Sequence, residues 1–301
     1  MKTAVSELGT LAVASVMAAG VLGVSHQAEA GVAQRTTFLQ TSITPSAGMN
    51  VTWHPGFRQY YAAGSGSGDA GSFYSKLYVF SEAGSEVQAF FEVEHDLRSV
   101  NYNPNTGQLE VLTLRARDGG IGAVGGRPQG LFAVPLDAAG QVSGSTTMLL
   151  PSLPGLRGTQ TMPVYDSARN RLYSFSNTNV LNVVSRVDGS LIGNVTLDTA
   201  AAGSPPTTWF GLGYDAVNDY LVATAYAPIN KAMRFRVDGS YVDSWELDID
   251  VPQFYGGVSV ANDQLFVYDN ARNGWQGYTI PSPGSLALLG LAAAATCRRR
   301  R

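Results

Sequence analysis

The chain has 301 residues, with 20 Lys and Arg against 23 Asp and Glu, 34 Gly, 14 Pro and a single Cys. A hydrophobic fraction of 45% is enough to build a core, which excludes disorder for the bulk of the chain. One Cys cannot form an internal disulfide, three His with one Cys exclude a Cys/His metal cluster, and a net charge of -3 argues against a nucleic-acid partner.

The first 30 residues have the layout of a secretory signal peptide. Lys2 opens a short charged stretch, residues 8–24 are apolar or small, and Ala28-Glu29-Ala30 gives the small-x-small cleavage pattern. We therefore expect a signal helix within 1–30, cleavage by signal peptidase, a mature chain that begins at Gly31, and export by the general secretion route. The alternative is an amphipathic N-terminal helix of a cytosolic protein.

The trunk, residues 31–279, alternates short β-branched and aromatic runs with Gly, Asn, Asp, Ser and Pro clusters, which is typical of an all-β fold. It opens with an alternating segment, 35–43, that reads as one strand. A repeated unit follows, in which an aromatic anchor and a turn precede the residue that begins the next strand, seven positions later. Four of these anchors, spaced by 49, 63 and 49 residues, are Trp53, Tyr102, Tyr165 and Tyr214.

A second unit in each repeat contains a hairpin signal, clearest in Val187-Asp188-Gly189-Ser190 and Val237-Asp238-Gly239-Ser240. Asp-Gly between apolar runs favours a type I′ turn, because both central residues need positive φ. Two hairpins give four strands per repeat, and this period predicts a β-propeller. We expect five blades, or six if the long second repeat contains another, with 35–43 completing the short last blade and closing the ring. A plain β-sandwich is the alternative.

The repeats resemble those of NHL and YVTN-type propellers, in which a Tyr-Asp-Pro-like turn precedes a Leu-Tyr-Val strand. The likeness is carried by units such as Val164-Tyr165-Asp166 with Leu172-Tyr173, and Gly213-Tyr214-Asp215 with Leu221-Val222. It covers residues 51–270 and implies a propeller fold. It implies no particular activity, because one fold supports many unrelated functions.

The C-terminal segment, residues 280–301, has three parts in a set order. Pro281, Ser282, Pro283 and Gly284 come first, the apolar run 286–297 follows, and the chain ends on Arg298, Arg299, Arg300 and Arg301. The apolar run can enter a bilayer, and the Arg cluster stays on the cytoplasmic side. An exported chain would therefore be held in the inner membrane by its tail. A buried terminal helix with a basic end is the alternative.

This order of parts resembles the PEP-CTERM sorting domain of bacterial surface and exopolysaccharide-associated proteins. In that family a Pro-Glu-Pro-type motif precedes one hydrophobic helix and a basic cluster, and a membrane protease called exosortase processes the tail. The resemblance covers Ile280 to Arg301, with Ser282 in the place of the usual Glu. It implies transient anchoring in the inner membrane, processing by exosortase, and a final location at the cell surface or outside the cell.

Four polar residues that occupy equivalent places directly after the anchors form a candidate ligand ring: His54, Asn103, Asp166 and Asp215. Equivalent positions of propeller blades lie on a ring, and a polar ring could bind a ligand or a cation. The alternative is that these side chains accept hydrogen bonds within their own turns, as Asx turns do. We assign no catalytic residue, no metal ligand and no cofactor from the sequence.

These observations favour an exported, non-enzymatic binding or structural protein that engages exopolysaccharide or another surface protein. The alternative is a secreted propeller enzyme acting on polysaccharide, either a lyase or a glycosidase. The Gly-rich insert at 115–128 matches no phosphate-binding or dinucleotide-binding loop. Three acidic residues alternate along a predicted strand, which favours a solvated strand face over a calcium site: Glu246, Asp248 and Asp250. Acids and His that converge at one mouth of the ring would favour the enzyme, whereas turn residues there would favour the binding protein.

Overall fold

Five four-stranded antiparallel sheets form the blades of a β-propeller. The computed structural model describes residues 29–30, 32–43, 45, 47–65, 75–93, 97–113, 130–151, 153–156, 162–177, 179–203, 211–225, 230–248 and 257–281. The predicted all-β class with five blades is confirmed, and the sandwich alternative is wrong. The expected signal helix and tail helix lie outside the described residues. Within the described part of the chain, no helix is long and apolar enough to cross a membrane.

The first four blades each arise from one sequence repeat, with strands in chain order from the inner to the outer edge. Two strands precede them, β1 (Glu29–Ala30) and β2 (Arg35–Gln40), and both pair with later blades. Blade 1 contains β3 (Ala47–His54), β4 (Gln59–Ser65), β5 (Ser75–Ser81) and β6 (Glu86–Val93). Blade 2 contains β7 (Leu97–Asn103), β8 (Gln108–Thr113), β9 (Gly130–Val134) and β10 (Thr147–Leu150).

Blades 3 and 4 follow the same order of strands and are joined by a short helix. Blade 3 contains β11 (Val164–Asp166), β12 (Arg171–Phe175), β13 (Val180–Ser185) and β14 (Leu191–Thr196). A 3-10 turn at Pro154–Leu156 precedes this blade, and α1 (Thr199–Ala202) follows it. Blade 4 contains β15 (Gly213–Asp215), β16 (Tyr220–Thr224), β17 (Lys231–Arg236) and β18 (Tyr241–Glu246). The short strand β1 pairs with β18 in parallel orientation.

The fifth blade is built from both ends of the chain. It contains β19 (Val258–Ala261), β20 (Gln264–Asp269) and β21 (Gly274–Thr279), and β2 supplies its outermost strand. The strand β2 runs antiparallel to β21, with Arg35 opposite Tyr278 and Leu39 opposite Trp275. The ring is therefore closed by pairing between the start and the end of the trunk, at the place where the sequence predicted the closing strand.

The hydrophobic core is divided into five clusters, one between each pair of neighbouring blades. The strand β16 shows how the sequence produces this arrangement. Leu221 and Ala223 pack toward blade 3, while Val222 between them packs toward blade 5. Successive side chains of a strand point to opposite faces, so a strand with both faces covered must be apolar at every position. This explains the continuous apolar runs of the repeats.

The two Asp-Gly hairpins are present, but their turns differ from the predicted type I′. The loops between paired strands span 186–190 and 237–240, and only the glycines in them, Gly189 at φ 74° and Gly239 at φ 94°, have positive φ. The preceding aspartates accept hydrogen bonds from the backbone N–H groups of Ser190 and Ser240, at 3.1 and 2.9 Å. These Asx contacts stabilise a longer loop in which one left-handed residue is sufficient.

Candidate functional site

The four residues of the candidate ligand ring lie at the ends of the innermost strands, where each strand turns toward its neighbour. His54 ends β3, Asn103 ends β7, and Asp166 and Asp215 end β11 and β15. All four side chains are buried, and Asp166 is 0% exposed. They occupy equivalent places in successive blades, but they are covered by their own turns.

The polar atoms of these residues are engaged within the turns that they begin. The Oδ1 atoms of Asn103, Asp166 and Asp215 accept backbone N–H groups two or three positions later, at 3.0 to 3.1 Å. His54 Nδ1 accepts the N–H of Phe57 at 3.4 Å. This geometry favours the Asx-turn interpretation of the repeated polar residue, because an oxygen that caps a turn is less available to a ligand. The ligand ring stays a prediction.

One arginine connects the turns of blades 3 and 4. Arg169 donates to Asp166 of its own turn at 3.0 Å, and its two terminal nitrogens contact the carboxylate oxygens of Asp219 at 2.7 and 2.6 Å. Tyr214 also donates to Asp219, at 2.9 Å. The hydrogen bonds from Arg169 hold the pKa of Asp219 below its ordinary value. A carboxyl group with a lowered pKa is poorly suited to act as a general acid.

A second ion pair connects blades 2 and 3 and is almost fully buried. The guanidinium of Arg186 donates to both oxygens of Glu110, at 2.8 and 2.6 Å, and Glu110 is 2% exposed. Asn103 of the ring donates to the same carboxylate at 2.8 Å, and the hydroxyl of Tyr165 donates to Asn103 at 3.3 Å. Bidentate pairing of this kind compensates for the cost of burying both charges.

His54 is the histidine of the ring, and it lies among aromatic side chains. Its imidazole lies 4.4 Å from the ring of Tyr102 in the next blade and 4.7 Å from that of Phe57, measured between centroids. Burial among these aromatic groups lowers the pKa of His54, and hydrogen bonding with the backbone at Gly107 opposes the shift only in part. The residue is therefore neutral near pH 7 and serves as a turn cap and packing group.

The inner strands are joined to each other by side chains that bind backbone groups of the next blade. The Asn50 amide accepts the N–H of Val100 and donates to its C=O, both at 2.8 Å. Ser259 accepts the N–H of Val51 at 2.8 Å. These contacts satisfy backbone groups at an edge that would otherwise need water. The central edges of blades 1, 2 and 5 are thus held together by polar side chains.

The tryptophans and the Gly-rich insert occupy varied places. Trp245 and Trp275 are fully buried in the core, and Trp53 packs on Tyr60 with ring centroids 4.6 Å apart. The Gly-rich insert at 115–128 lies outside the described residues. Within the residues that the structure does describe, no group of three or more His, Cys, Asp and Glu could hold a metal ion.

The predicted processing sites fall at the boundary of the described chain. Pro281 is its last residue, while Ser282, Pro283, Gly284 and the cluster Arg298–Arg301 lie beyond it. At the other end, Ala30 belongs to β1, and Ala28 and Gly31 lie outside the described residues. The two trunk ends meet beside blade 5, since Thr279 donates its N–H to Gln34 at 2.9 Å and accepts from the Gln34 N–H at 3.2 Å.

A charged site near this boundary was missed by sequence reasoning. Arg234, in the middle of β17, is 0% exposed and contacts both Asp243 of β18 and the carbonyl oxygen of Pro281. The available signal was a basic residue between Met233 and Phe235 in a strand whose other central positions are apolar. Such a position must have a buried partner, but the sequence does not identify that partner.

No protein-family model and no curated protein sequence matches the chain. Similar solved structures include glutaminyl cyclase from Myxococcus xanthus, with 13% identity, a TM-score of 0.53, and coverage of 83% of this chain and 97% of that one. Another is regucalcin, a calcium-binding protein from Agrobacterium tumefaciens, with 12% identity, a TM-score of 0.45, and coverage of 83% and 95%. At these identities a likeness concerns the fold alone. Sheet topology and the similarity to the cyclase together identify the chain as a five-bladed β-propeller.

Proposed function

We propose that this propeller is exported and works at the cell surface or in the extracellular matrix as a non-enzymatic binding or structural protein. Signal peptidase would remove residues 1–30, and the tail 280–301 would anchor the chain in the inner membrane until an exosortase-type enzyme processes it. Exopolysaccharide is the ligand class that the tail resemblance favours. Support for this proposal comes from the tail sequence, the position of the chain ends and the chemistry of the turns.

The observation that carries the proposal is the meeting of both trunk ends at the seam, which we define as the β2–β21 pair with Gln34 and Thr279. Residues removed at either end lie outside the β2–β21 pair. Loss of a signal peptide and a tail would therefore leave the closing strand in place. A tail attached at this seam would hold the ring at one point of its rim and leave the other blades accessible.

The turn chemistry supports binding rather than catalysis at the described mouth of the ring. Glycosidases need two carboxyl groups at a set separation, one of which has a raised pKa. The carboxylates Asp166 and Asp219 instead share Arg169, which lowers the pKa of Asp219. This pairing serves to join blades. It favours the binding protein over the lyase or glycosidase.

The export proposal is tested by fractionation of cells that express the full chain with and without exosortase, followed by sequencing of both termini. We expect an N-terminus at Gly31 in both strains, membrane retention without exosortase, and loss of Arg298–Arg301 with it. Replacing these four arginines by Ser should abolish retention, whereas Arg236→Ser, which removes an exposed arginine of β17, should not. A soluble cytoplasmic protein that keeps both ends would overturn the proposal.

The binding proposal is tested with the released trunk on an array of bacterial exopolysaccharides. Retention of an acidic or neutral glycan without any change in its chain length would support a binding protein. New reducing ends without unsaturated sugars would identify a glycosidase, whereas new reducing ends accompanied by unsaturated non-reducing ends would identify a lyase. Either product would replace the binding proposal by the enzyme alternative.

A further inference from the structure

The Arg234 site lies between blades 4 and 5, directly beside the tail root, by which we mean Ile280 and Pro281. Its Nη2 donates to the carbonyl oxygen of Pro281 at 2.6 Å, and its Nε lies 3.0 Å from Asp243 Oδ1. The guanidinium carbon is 5.0 Å from the centroid of Trp245 and 5.4 Å from that of Tyr220. A fully buried cation therefore meets one carboxylate, two aromatic rings and one main-chain carbonyl.

The guanidinium of Arg234 has few hydrogen-bond partners for a buried charge. Nη1 of Arg234 has no hydrogen-bond partner in the structure, and Nε contacts Asp243 only as an ion pair. Burial raises the pKa of the Asp243 carboxyl, although Arg234 opposes the shift. Because an unpaired buried charge is costly, the carbonyl of Pro281 is a needed partner of Arg234. The contact thus stabilises the buried arginine and the tail root together.

The residue before Pro281 also packs between blades 4 and 5. Ile280 contacts the core cluster between blades 4 and 5, which includes Trp245 and Tyr278. Thr279 is bonded to Gln34 on the other side. The last residue of β21 and the two residues that follow it are therefore fixed, two by hydrogen bonds and one by apolar packing. The Arg234 contact is the last of these attachments before the remaining residues of the sorting motif.

We propose that Arg234 is a positioning residue for tail processing: it holds Pro281 between blades 4 and 5 and thereby limits the access of a protease to the peptide bond that follows Pro281. This inference rests on the proposed function only in calling 281–284 a processing motif. The contact itself belongs to the folded propeller. Opening of the contact between Arg234 and Pro281 sets the rate of cleavage after Pro281.

The test is limited proteolysis of the full chain in detergent with a proline-specific endopeptidase, with products identified by intact-mass spectrometry. Arg234→Met removes the donors and keeps much of the side-chain volume. A hydrogen bond from a charged donor is strong enough that we expect cleavage after Pro281 to be about tenfold faster or more. Arg234→Lys retains the charge beside Asp243 but lacks the second nitrogen that donates to Pro281. Its rate of cleavage should therefore be intermediate.

The matched control is Arg186→Met, which also deletes a buried guanidinium but lies between blades 2 and 3. It should lower the melting temperature without accelerating cleavage at the motif. Equal acceleration by both methionine variants, or no acceleration in a folded Arg234→Met, would overturn the inference. If Arg234→Met does not fold, Arg234→Lys decides by the same comparison. An unprocessed tail in exosortase-positive cells would count against the proposed function, while the rates in vitro still decide the role of Arg234.

Discussion

At the residue scale, two ion pairs join neighbouring blades. Arg186 meets Glu110 across blades 3 and 2, and Arg169 meets Asp219 across blades 3 and 4. The first pair is nearly excluded from water, while the second is partly exposed. Removal of one partner from a buried pair lowers the free energy of unfolding much more than removal from an exposed pair. The reason is that the remaining buried charge is left without a partner. The two pairs should therefore differ strongly in their effect on stability.

Removal of one partner from the buried pair should destabilise the propeller severely. Glu110→Ala leaves the Arg186 guanidinium without its carboxylate, and we expect a loss of about 3–5 kcal/mol in the free energy of unfolding. The double variant Glu110→Leu/Arg186→Leu should lose less than Glu110→Ala alone, because no charge is stranded. Urea denaturation of the variants measures these values. A double variant that loses as much stability as Glu110→Ala, or more, would contradict the expected coupling.

The buried histidine should make stability depend on pH. The folded-state pKa of His54 lies below its unfolded value of about 6.5, so the unfolded chain binds more protons as the solution becomes acidic. Its contribution to stability is complete above about pH 6.5 and is lost as the pH falls through the folded-state pKa.

The variant His54→Asn isolates this effect, because Asn caps the equivalent turn of blade 2 at Asn103. We expect the melting temperature of the wild type to fall between about pH 7 and pH 5, and the variant to show a flatter profile over this range. Identical slopes would show that other groups control the pH dependence.

At the scale of strands and turns, much of the fold follows from local patterns in the sequence. The anchor at Tyr214 and the strand that begins near Leu221 were predictable because a turn of set length lies between them. The buried pair of Arg234 and Asp243 was not, because β17 and β18 shift register between Arg234 and Phe235. A bulge changes which side chains face each other, and no residue type marks its position here. Likewise, Glu110 and Arg186 are 76 residues apart in the sequence, so no local pattern indicates their contact.

The closing strand β2 should contribute more to stability than an ordinary outer strand. Leu39 of β2 is fully buried between blades 5 and 1, whereas Leu191 of β14 is 51% exposed. We expect Leu39→Ala to cost about 2–5 kcal/mol in the free energy of unfolding. The matched control, Leu191→Ala, should cost about 0.5 kcal/mol or less. Chemical denaturation compares the two, and similar losses would contradict a special role for the closing strand.

At the scale of the whole molecule, the ring has one seam, and its position is set by where the chain begins and ends within blade 5. Blade 5 takes three strands from the end of the trunk and one from its start. The same division could be made in blade 3, because β14 is also an outermost strand that follows an exposed loop. The architecture therefore does not depend on which blade contains the seam.

A circular permutant should consequently retain the fold. Joining residue 281 to residue 32 by a short Gly-Ser linker, and opening the loop between Val187 and Asp188, would make β14 the closing strand of blade 3. We expect a cooperative thermal transition near that of the wild-type trunk, because the contacts of all blades are kept. A trunk that begins at residue 41 lacks β2 and should lose this transition. A permutant that unfolds like this truncation would contradict the equivalence of blades.

The pairing of β21 has a mechanical consequence for a ring held by its tail. Force applied at Ile280 is transmitted first to β21, which is hydrogen-bonded to β20 on one side and to β2 on the other. A pull along this strand must therefore slide it past two ladders at once, whereas an outermost strand could be peeled away bond by bond. The strand added from the start of the trunk thus doubles the number of ladders that carry tension.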